Sequence, residues 1–431
     1  MVTAREAAAP GTVVVTGLGL TTALGFGVAE NWRALQAGES GIAVCDPGLF
    51  RTPPALPRRL GAPVAREALA ARIREQVPRQ VWNTSSETCH LWLVTALEAL
   101  AAAGLYPAEA GSPGPPPERV GIYVGSGIGS PMLTEAEFAN LYTAENPRHR
   151  DVSRMAVPKY MLSSFAGQLS ILTGFRGASL AVSTACSSGA TALHLAADAL
   201  RLGRLDAAVA GGVDTAVAAT VVKGFHNLGA LSARADRGPH ACRPFDRTRD
   251  GIVLGDGAAC LVLERAEAAA RRGARPLAVL RGGATLSEAH HLLSPRPDGE
   301  GMTTCMAGAL AEAGLTPQAV GHVYAHGTGT TYNDRCEAQA LARVLPHSPT
   351  VSATKAQLGH TMGAAGAIDA VLACHGLATG APPVPLRCAE LDPDCPVRAA
   401  AGGPPPAGAV LVNAFAFGGH NTTLAFTPAP A

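Results

Sequence analysis

Lysine is almost missing from this chain: Lys159, Lys223 and Lys355 are the only three in 431 residues. Arginine makes up the difference, so the formal net charge is +1, with 16% of residues charged. A balance this close to zero gives no argument for a nucleic-acid partner. No long basic run supplies one either, and the stretch from Arg148-His149-Arg150 to Arg154 reads as a solvated loop. The ten cysteines, at 45, 89, 186, 242, 260, 305, 336, 374, 388 and 395, contain no C-x-x-C pair. A metal site and a disulfide framework are both poor readings, and reduced thiols in a cytoplasmic protein fit better. No uninterrupted apolar run reaches the length of a membrane span. Arg5 followed by Val13 to Leu20 mimics a signal peptide, but glycine and threonine interrupt it and no cleavage site follows, so it reads as a first core strand. Gly17-Leu18-Gly19 lacks the later glycine and acidic partner of a dinucleotide loop.

What is present is material for a large interior. Hydrophobic residues make up 47% of the chain, enough for two domains or for two halves sharing a core. After a loose lead-in over 1–10, strand-like segments recur near 12–17, 119–125, 180–185, 206–211 and 258–263, with helical patterns at 87–103 and 187–202. A second series has strands near 276–284, 320–325, 350–353 and 409–414, and helices near 301–314, 336–344 and 363–378. Such alternation predicts α/β layers with covered sheets, and its two rounds predict a duplicated unit. The proline-rich turns at 113–117 and 402–406 are too short to be interdomain linkers.

Cys186 falls in Ala185-Cys186-Ser187-Ser188-Gly189, between a short apolar strand and a helix on which Leu193, Ala196, Ala197 and Leu200 recur. A thiol there faces unpaired backbone N–H groups and the positive end of a helix dipole, which predicts a lowered pKa and a reactive thiolate. Two other strand ends carry His326-Gly327-Thr328-Gly329-Thr330 and Lys355-Ala356-Gln357-Leu358-Gly359-His360. A cysteine, two histidines and a lysine, all just past strand ends, predict a catalytic site.

With these residues in order the chain resembles the β-ketoacyl-acyl carrier protein synthases, the elongating condensing enzymes of fatty-acid and polyketide synthesis. Further strings carry the likeness: Val13 to Gly19, Arg249 to Ala258, Gly359 to Ala367, and Asn413 to Asn421. The resemblance implies the thiolase fold, a five-layer α-β-α-β-α sandwich of two similar halves, 11–265 carrying Cys186 and 266–428 carrying His326, Lys355 and His360. It makes Cys186 the nucleophile that takes an acyl chain from a carrier thioester and passes it to a decarboxylated malonyl unit. His326 and His360 are then the histidines of the decarboxylation step, and Lys355 organises them. Glu337, with Asp334 a supporting acid in the run Asn333 to Glu337, is the expected ion-pair partner of Lys355. Thr328 and Thr330 are expected to hold the phosphopantetheine arm. Phe417 is expected to gate the acyl tunnel and to lend its N–H to an oxyanion hole, with Phe415 beside it.

The resemblance also implies a carrier-protein partner, no metal or organic cofactor, no membrane insertion, and a homodimer or a pair with a homologous subunit. The segment from Leu162 to Val182 would lie near that interface, or else in the monomer core. An acidic carrier is a second reading for the 148–154 cluster. Ser163, Ser130-Pro131, Gly229 and the stretch Trp82 to Ser86 depart from the family's commonest residues. They leave open a ketosynthase-fold enzyme that loads a chain on Cys186 and cyclises or transfers it without extension. A chain-length-setting partner subunit and a biosynthetic thiolase fit worse.

Overall fold

The computed structural model describes residues 11–45, 60–107, 114–142, 152–403 and 408–430. The lead-in at 1–10, Pro113, residues 404–406 of the second proline-rich turn and the cluster at 148–150 lie outside the described residues. The first half is built on β1 (Val13–Thr22), β2 (Val120–Gly125), β3 (Ser179–Val182), β4 (Ala207–Thr215) and β5 (Leu254–Arg265). The second is built on β6 (Ala278–Ser287), β7 (Val320–Tyr324), β8 (Thr350–Ser352), β9 (Ala409–Ala416) and β10 (His420–Pro428). The helices that matter for the site are α1 (Glu87–Ala102), α2 (Ser163–Thr173), α3 (Ser188–Arg201), α4 (Ala219–Asn227), α5 (Glu300–Ala313), α6 (Thr331–Val344), α7 (Lys355–Leu358) and α8 (Ala365–Thr379).

The two halves have one topology. In the first the strands run β3-β2-β4-β5-β1, and in the second β8-β7-β9-β10-β6. In each, the first three are parallel and the last two join antiparallel. The sheets meet where β1 pairs antiparallel with β6, at Val13↔Leu280. Side chains alternate across the sheet as the pleat demands. On β5, Ala259, Leu261 and Leu263 face α3 and α8, whereas Ala258, Cys260 and Val262 face α1 and α2. The other outer layer is α5 and α6, packed on Val323, Leu411 and Ala425. Helices thus lie outside, between and outside two sheets, which is the five-layer sandwich expected of the thiolase fold.

Close approach explains the first glycine-rich string. A Cβ on Gly17 or Gly19 would come within 2.1 Å of the carbonyls of Ala99 and Thr95, so α1 seats directly on the β1 backbone. Met362–Thr379 is long and apolar enough to cross a bilayer, but 72% of it is buried and it carries Asp369. It is the core helix between the sheets. The segment from Leu162 to Val182 divides: Phe165, Ala166 and Leu169 are core, while Ile171 and Leu180 are 71% and 46% exposed. β3, which carries Leu180, is the sheet's edge strand.

Candidate active site

The duplicated topology places matching turns at the ends of α3 and α8. After β3, Ala185 has φ +51° and starts a single 3-10 turn, Ala185–Ser187, that leads into α3. After β8, Met362 has φ +49° and starts the turn Met362–Ala364 that leads into α8. Neither residue is glycine, and left-handed backbone at such positions costs about 1–3 kcal/mol and gathers at functional sites. The first turn presents Cys186. Its counterpart in the second is Gly363, where a Cβ would lie 2.5 Å from the Gly127 nitrogen and 2.8 Å from Asp214 Oδ2.

A cavity of about 470 Å³ opens between the halves, and Cys186, His326, His360, Thr328, Thr330, Phe415 and Phe417 all line it. The His326 and His360 rings stand 5.5 Å apart at 79°. Cys186 is 5% exposed, and the backbone N–H groups of Phe417 and of Cys186 itself lie near enough to its sulfur to favour the thiolate slightly. The cysteine has the predicted place before a helix but not the predicted acidity. Burial pushes its thiol up to about 12, with Asp214 adding to the rise and Lys355 opposing it. Removing a thiolate from water outweighs the helix terminus.

Both histidines are held well below the usual imidazole range, by burial first and then by Lys355. They are therefore neutral. Nδ1 of His360 accepts the Met362 N–H at 3.2 Å, so the ring's proton sits on Nε2. That leaves Nε2–H as a donor. The left-handed Met362 is what turns its N–H back onto the ring. Nδ1 of His326 is buried without a hydrogen-bond partner.

The expected Lys355–Glu337 pair does not form. Lys355 Nζ lies 3.9 Å from Asp369 Oδ2, with both side chains at most 2% exposed. Thr354 Oγ1 donates to the other oxygen of Asp369 at 2.7 Å. Glu337 is spent on backbone: its oxygens accept the N–H groups of His326 and Gly327, each at 2.8 Å. Asp334 takes the next two, from Thr328 at 3.0 Å and Gly329 at 3.1 Å. Successive donors of one turn thus end on two carboxylates, both projecting from the first turns of α6. Burial still dominates at Glu337 and raises it to about 7.

Several residues around the site were not foreseen from the sequence. Asp214 is completely buried and accepts from Ser126 Oγ, Gly127 N, Ile128 N and Gly363 N, tying a first-half loop to the second half beside Cys186. Arg249 holds the outer side of the threonine turn, donating to the carbonyls of Thr330 and Thr331 at 3.1 Å each. Phe225, on α4, lines the cavity and stacks on Phe417 at 6.2 Å and 18°. Phe415 serves twice, since it lines the cavity and also packs in the second-half core. Of the departures noted above, Ser86 caps α1 by accepting the Cys89 N–H at 3.2 Å, and Ser130 donates to Ser86 at 2.7 Å. Among the described residues, His194, Asp198 and Glu312 have metal-ligand types close together. Arg201 Nη1 stands between the two carboxylates, 3.2 Å and 2.6 Å away, which makes the group an ion-pair network instead.

The likeness to known proteins covers the same elements. The sequence profile described as Beta-ketoacyl synthase, N-terminal domain, matches residues 11–269, and that of the C-terminal domain matches 277–388. The chain is 33% identical over 425 residues to 3-oxoacyl-[acyl-carrier-protein] synthase 2 of Coxiella burnetii, covering 96% of this chain and 97% of that one. A beta-ketoacyl synthase from Burkholderia phymatum is 33% identical with a TM-score of 0.86, covering 97% of this chain and 99% of its own. A type II polyketide ketosynthase bound to a hexaketide and solved with its acyl-carrier protein, AntDE:AntF, is 27% identical with a TM-score of 0.85, covering 97% and 100%. Both profiles, matched in order across the duplicated fold, make the chain a member of the beta-ketoacyl synthase family.

Proposed function

We propose that this protein is a ketosynthase that condenses a cysteine-bound acyl chain with a malonyl-type unit on an acyl carrier protein, in polyketide or specialised fatty-acid synthesis. The observation that carries the reading is the meeting of Cys186, His326 and His360 at one cavity. Cys186 attacks the carrier's thioester carbonyl, its own N–H and that of Phe417 bind the oxyanion, and the pantetheine thiol leaves with the proton. In the second half-reaction the malonyl C–C bond breaks to release carbon dioxide. The electron pair becomes an enolate, whose oxygen takes the hydrogen bond from His360 Nε2. The enolate carbon then attacks the Cys186 thioester and expels the thiolate, which is reprotonated. Lys355 supplies a fixed positive charge beside both imidazoles. Thr328 and Thr330, held by Asp334 and Arg249, receive the phosphopantetheine arm, and Phe417, backed by Phe225, gates the acyl side.

Residues 11–265 and 266–428 are the two halves of the synthase in this reading. The exposed edge of β3 is the surface by which it pairs with a second copy or a homologous subunit, since an unpaired strand edge invites a partner strand. The setting is cytoplasmic, in keeping with free cysteines throughout the described residues. The substrates bring their own prosthetic arm and the residues named call for no metal.

Intact-protein mass spectrometry after incubation with acyl carriers tests this. Acylation is expected in the wild type and not in Cys186→Ala, and the loaded enzyme is expected to release carbon dioxide from malonyl carrier. Acylated Cys186 without carbon dioxide release would turn the reading into chain transfer or cyclisation. Loading that survives in Cys186→Ala would end it.

A further inference from the structure

A second cavity, about 320 Å³, backs onto the threonine turn, and Arg243, Arg387, His240, Cys242, Asp246 and Ala356 help to line it. Its position is fixed by two contacts. Cys242 Sγ donates to the Thr328 carbonyl at 3.7 Å, and a Cβ on Gly329 would meet Arg243 N at 3.4 Å. Ala356 is the residue after Lys355, so the cavity also touches α7. It is separate from the cavity that holds Cys186, and the mechanism above makes no use of it.

Its positive charge is in excess: two guanidiniums share the wall with one carboxylate among the described residues. Neither Arg243 nor Arg387 has a carboxylate partner among the described residues, and Arg243 Nε and Arg387 Nη1 are covered yet bond to nothing. Arg243 donates to the Thr248 hydroxyl and the His240 carbonyl, both neutral acceptors. Arg387 Nη2 donates to His240 Nδ1 at 2.9 Å, which leaves the proton of that ring on Nε2 as a further donor. Among the described residues the one carboxylate on the wall is Asp246, which keeps its charge but turns its oxygens to the N–H groups of Thr248, Ala389 and Glu390 at 2.8, 2.9 and 3.1 Å. Burial without a counter-ion lowers the pKa of Arg387, and guanidinium pairs are otherwise used to bind phosphate and carboxylate groups.

We propose that this cavity is an oxyanion site that takes a phosphate group, free or at the end of a phosphate ester, between Arg243, Arg387 and His240. A ligand held there bears on the backs of the Thr328–Thr330 turn and of α7, and stabilises the fold by binding only its native state.

The test is titration calorimetry with thermal denaturation of the full chain in inorganic phosphate, at neutral pH and with ionic strength held constant by sodium chloride. A saturable heat and a rise in Tm are expected. Arg387→Met is expected to weaken binding by roughly tenfold or more, the loss of one charge-assisted contact. Arg247→Ala removes an exposed guanidinium paired with Glu390 outside the cavity, and is expected to bind phosphate as the wild type does. A nucleoside monophosphate that binds more tightly than inorganic phosphate assigns the site to an ester, and equal or weaker binding assigns it to the free ion. Arg387→Lys, which keeps the charge and loses the planar fork, gives a second reading by the same criterion if the methionine variant does not fold. No saturable binding to the wild type, a Tm rise that chloride alone reproduces, or unchanged affinity in the Arg387 variant that folds would each overturn the proposal.

Discussion

Lys355 and Asp369 face each other 3.9 Å apart inside the protein, and neither Lys355 Nζ nor Asp369 Oδ2 makes a hydrogen bond. The pair is held by charge alone. Breaking a buried pair by removing one partner strands the other and costs about 3–5 kcal/mol. Asp369→Ala is therefore expected to lower Tm sharply, whereas the double variant Asp369→Leu, Lys355→Met recovers much of the loss while remaining inactive. A double-mutant cycle in denaturant measures this, and additive losses would show that the two do not pair.

Glu337 makes a different demand. Glutamine at this position can accept one N–H but presents its own NH2 to the other, so either His326 N or Gly327 N loses its acceptor. Glu337→Gln is expected to cost about 1–3 kcal/mol, the price of an unsatisfied buried donor. Because the displaced turn carries His326, turnover is expected to fall as well. Unchanged denaturation midpoint and activity would remove Glu337 from this role.

The acidity of Cys186 sets how its reactivity varies with pH. With the thiol pushed up to about 12 by burial, the thiolate fraction grows about tenfold with each pH unit below that value. Alkylation of Cys186 by iodoacetamide is expected to climb steadily from neutral pH into the alkaline range. A plateau near neutrality would mean that the helix terminus and Lys355 prevail over burial. Cys186→Ala serves as the blank for the other cysteines.

In the proposed reaction His360 offers one donor to the developing enolate, and loss of such a donor typically costs 10²–10³-fold in kcat. His360→Ala is expected to reach that range in carbon dioxide release, with Cys186 still acylated. Equal loss in both half-reactions would point to a structural collapse of the Met362 turn, to which His360 is bonded.

Phe225→Ala removes the ring against which Phe417 stacks. An aromatic pair is worth about 0.5–1.5 kcal/mol, so acylation of Cys186 is expected to slow by about two- to tenfold with little change in Tm. Acyl chains of different length are the useful probe, since a loosened gate alters their ratio and a merely destabilised fold does not.

Much of this was legible in the chain. Cys186, His326 and Lys355 announce themselves because each follows a short apolar strand at a turn, a local pattern. Partners were harder to read. Asp369 lies fourteen residues beyond Lys355 in a helix whose other side chains are almost wholly apolar, and no spacing rule links the two. Glu337 is next to the site in sequence, and the donors it accepts from are backbone N–H groups, which carry no residue identity. β10 escaped notice for a related reason: His420-Asn421-Thr422-Thr423 has too much polarity for a core strand until its hydroxyls find Asn413, Thr191 and Thr285. Asp214 gave no signal, because its donors come from two segments far from it in sequence, 126–128 and Gly363.

The twin turns before α3 and α8 set a limit on capacity. Duplication placed two equivalent pedestals in one protomer, yet Gly127 and Asp214 fill the space a side chain would need on the second. Any atom added at Gly363 must displace the loop that shapes the Cys186 turn, so one copy is left bare in order that the other can work. In the proposed reaction each protomer accordingly has a single anchorage for an acyl chain.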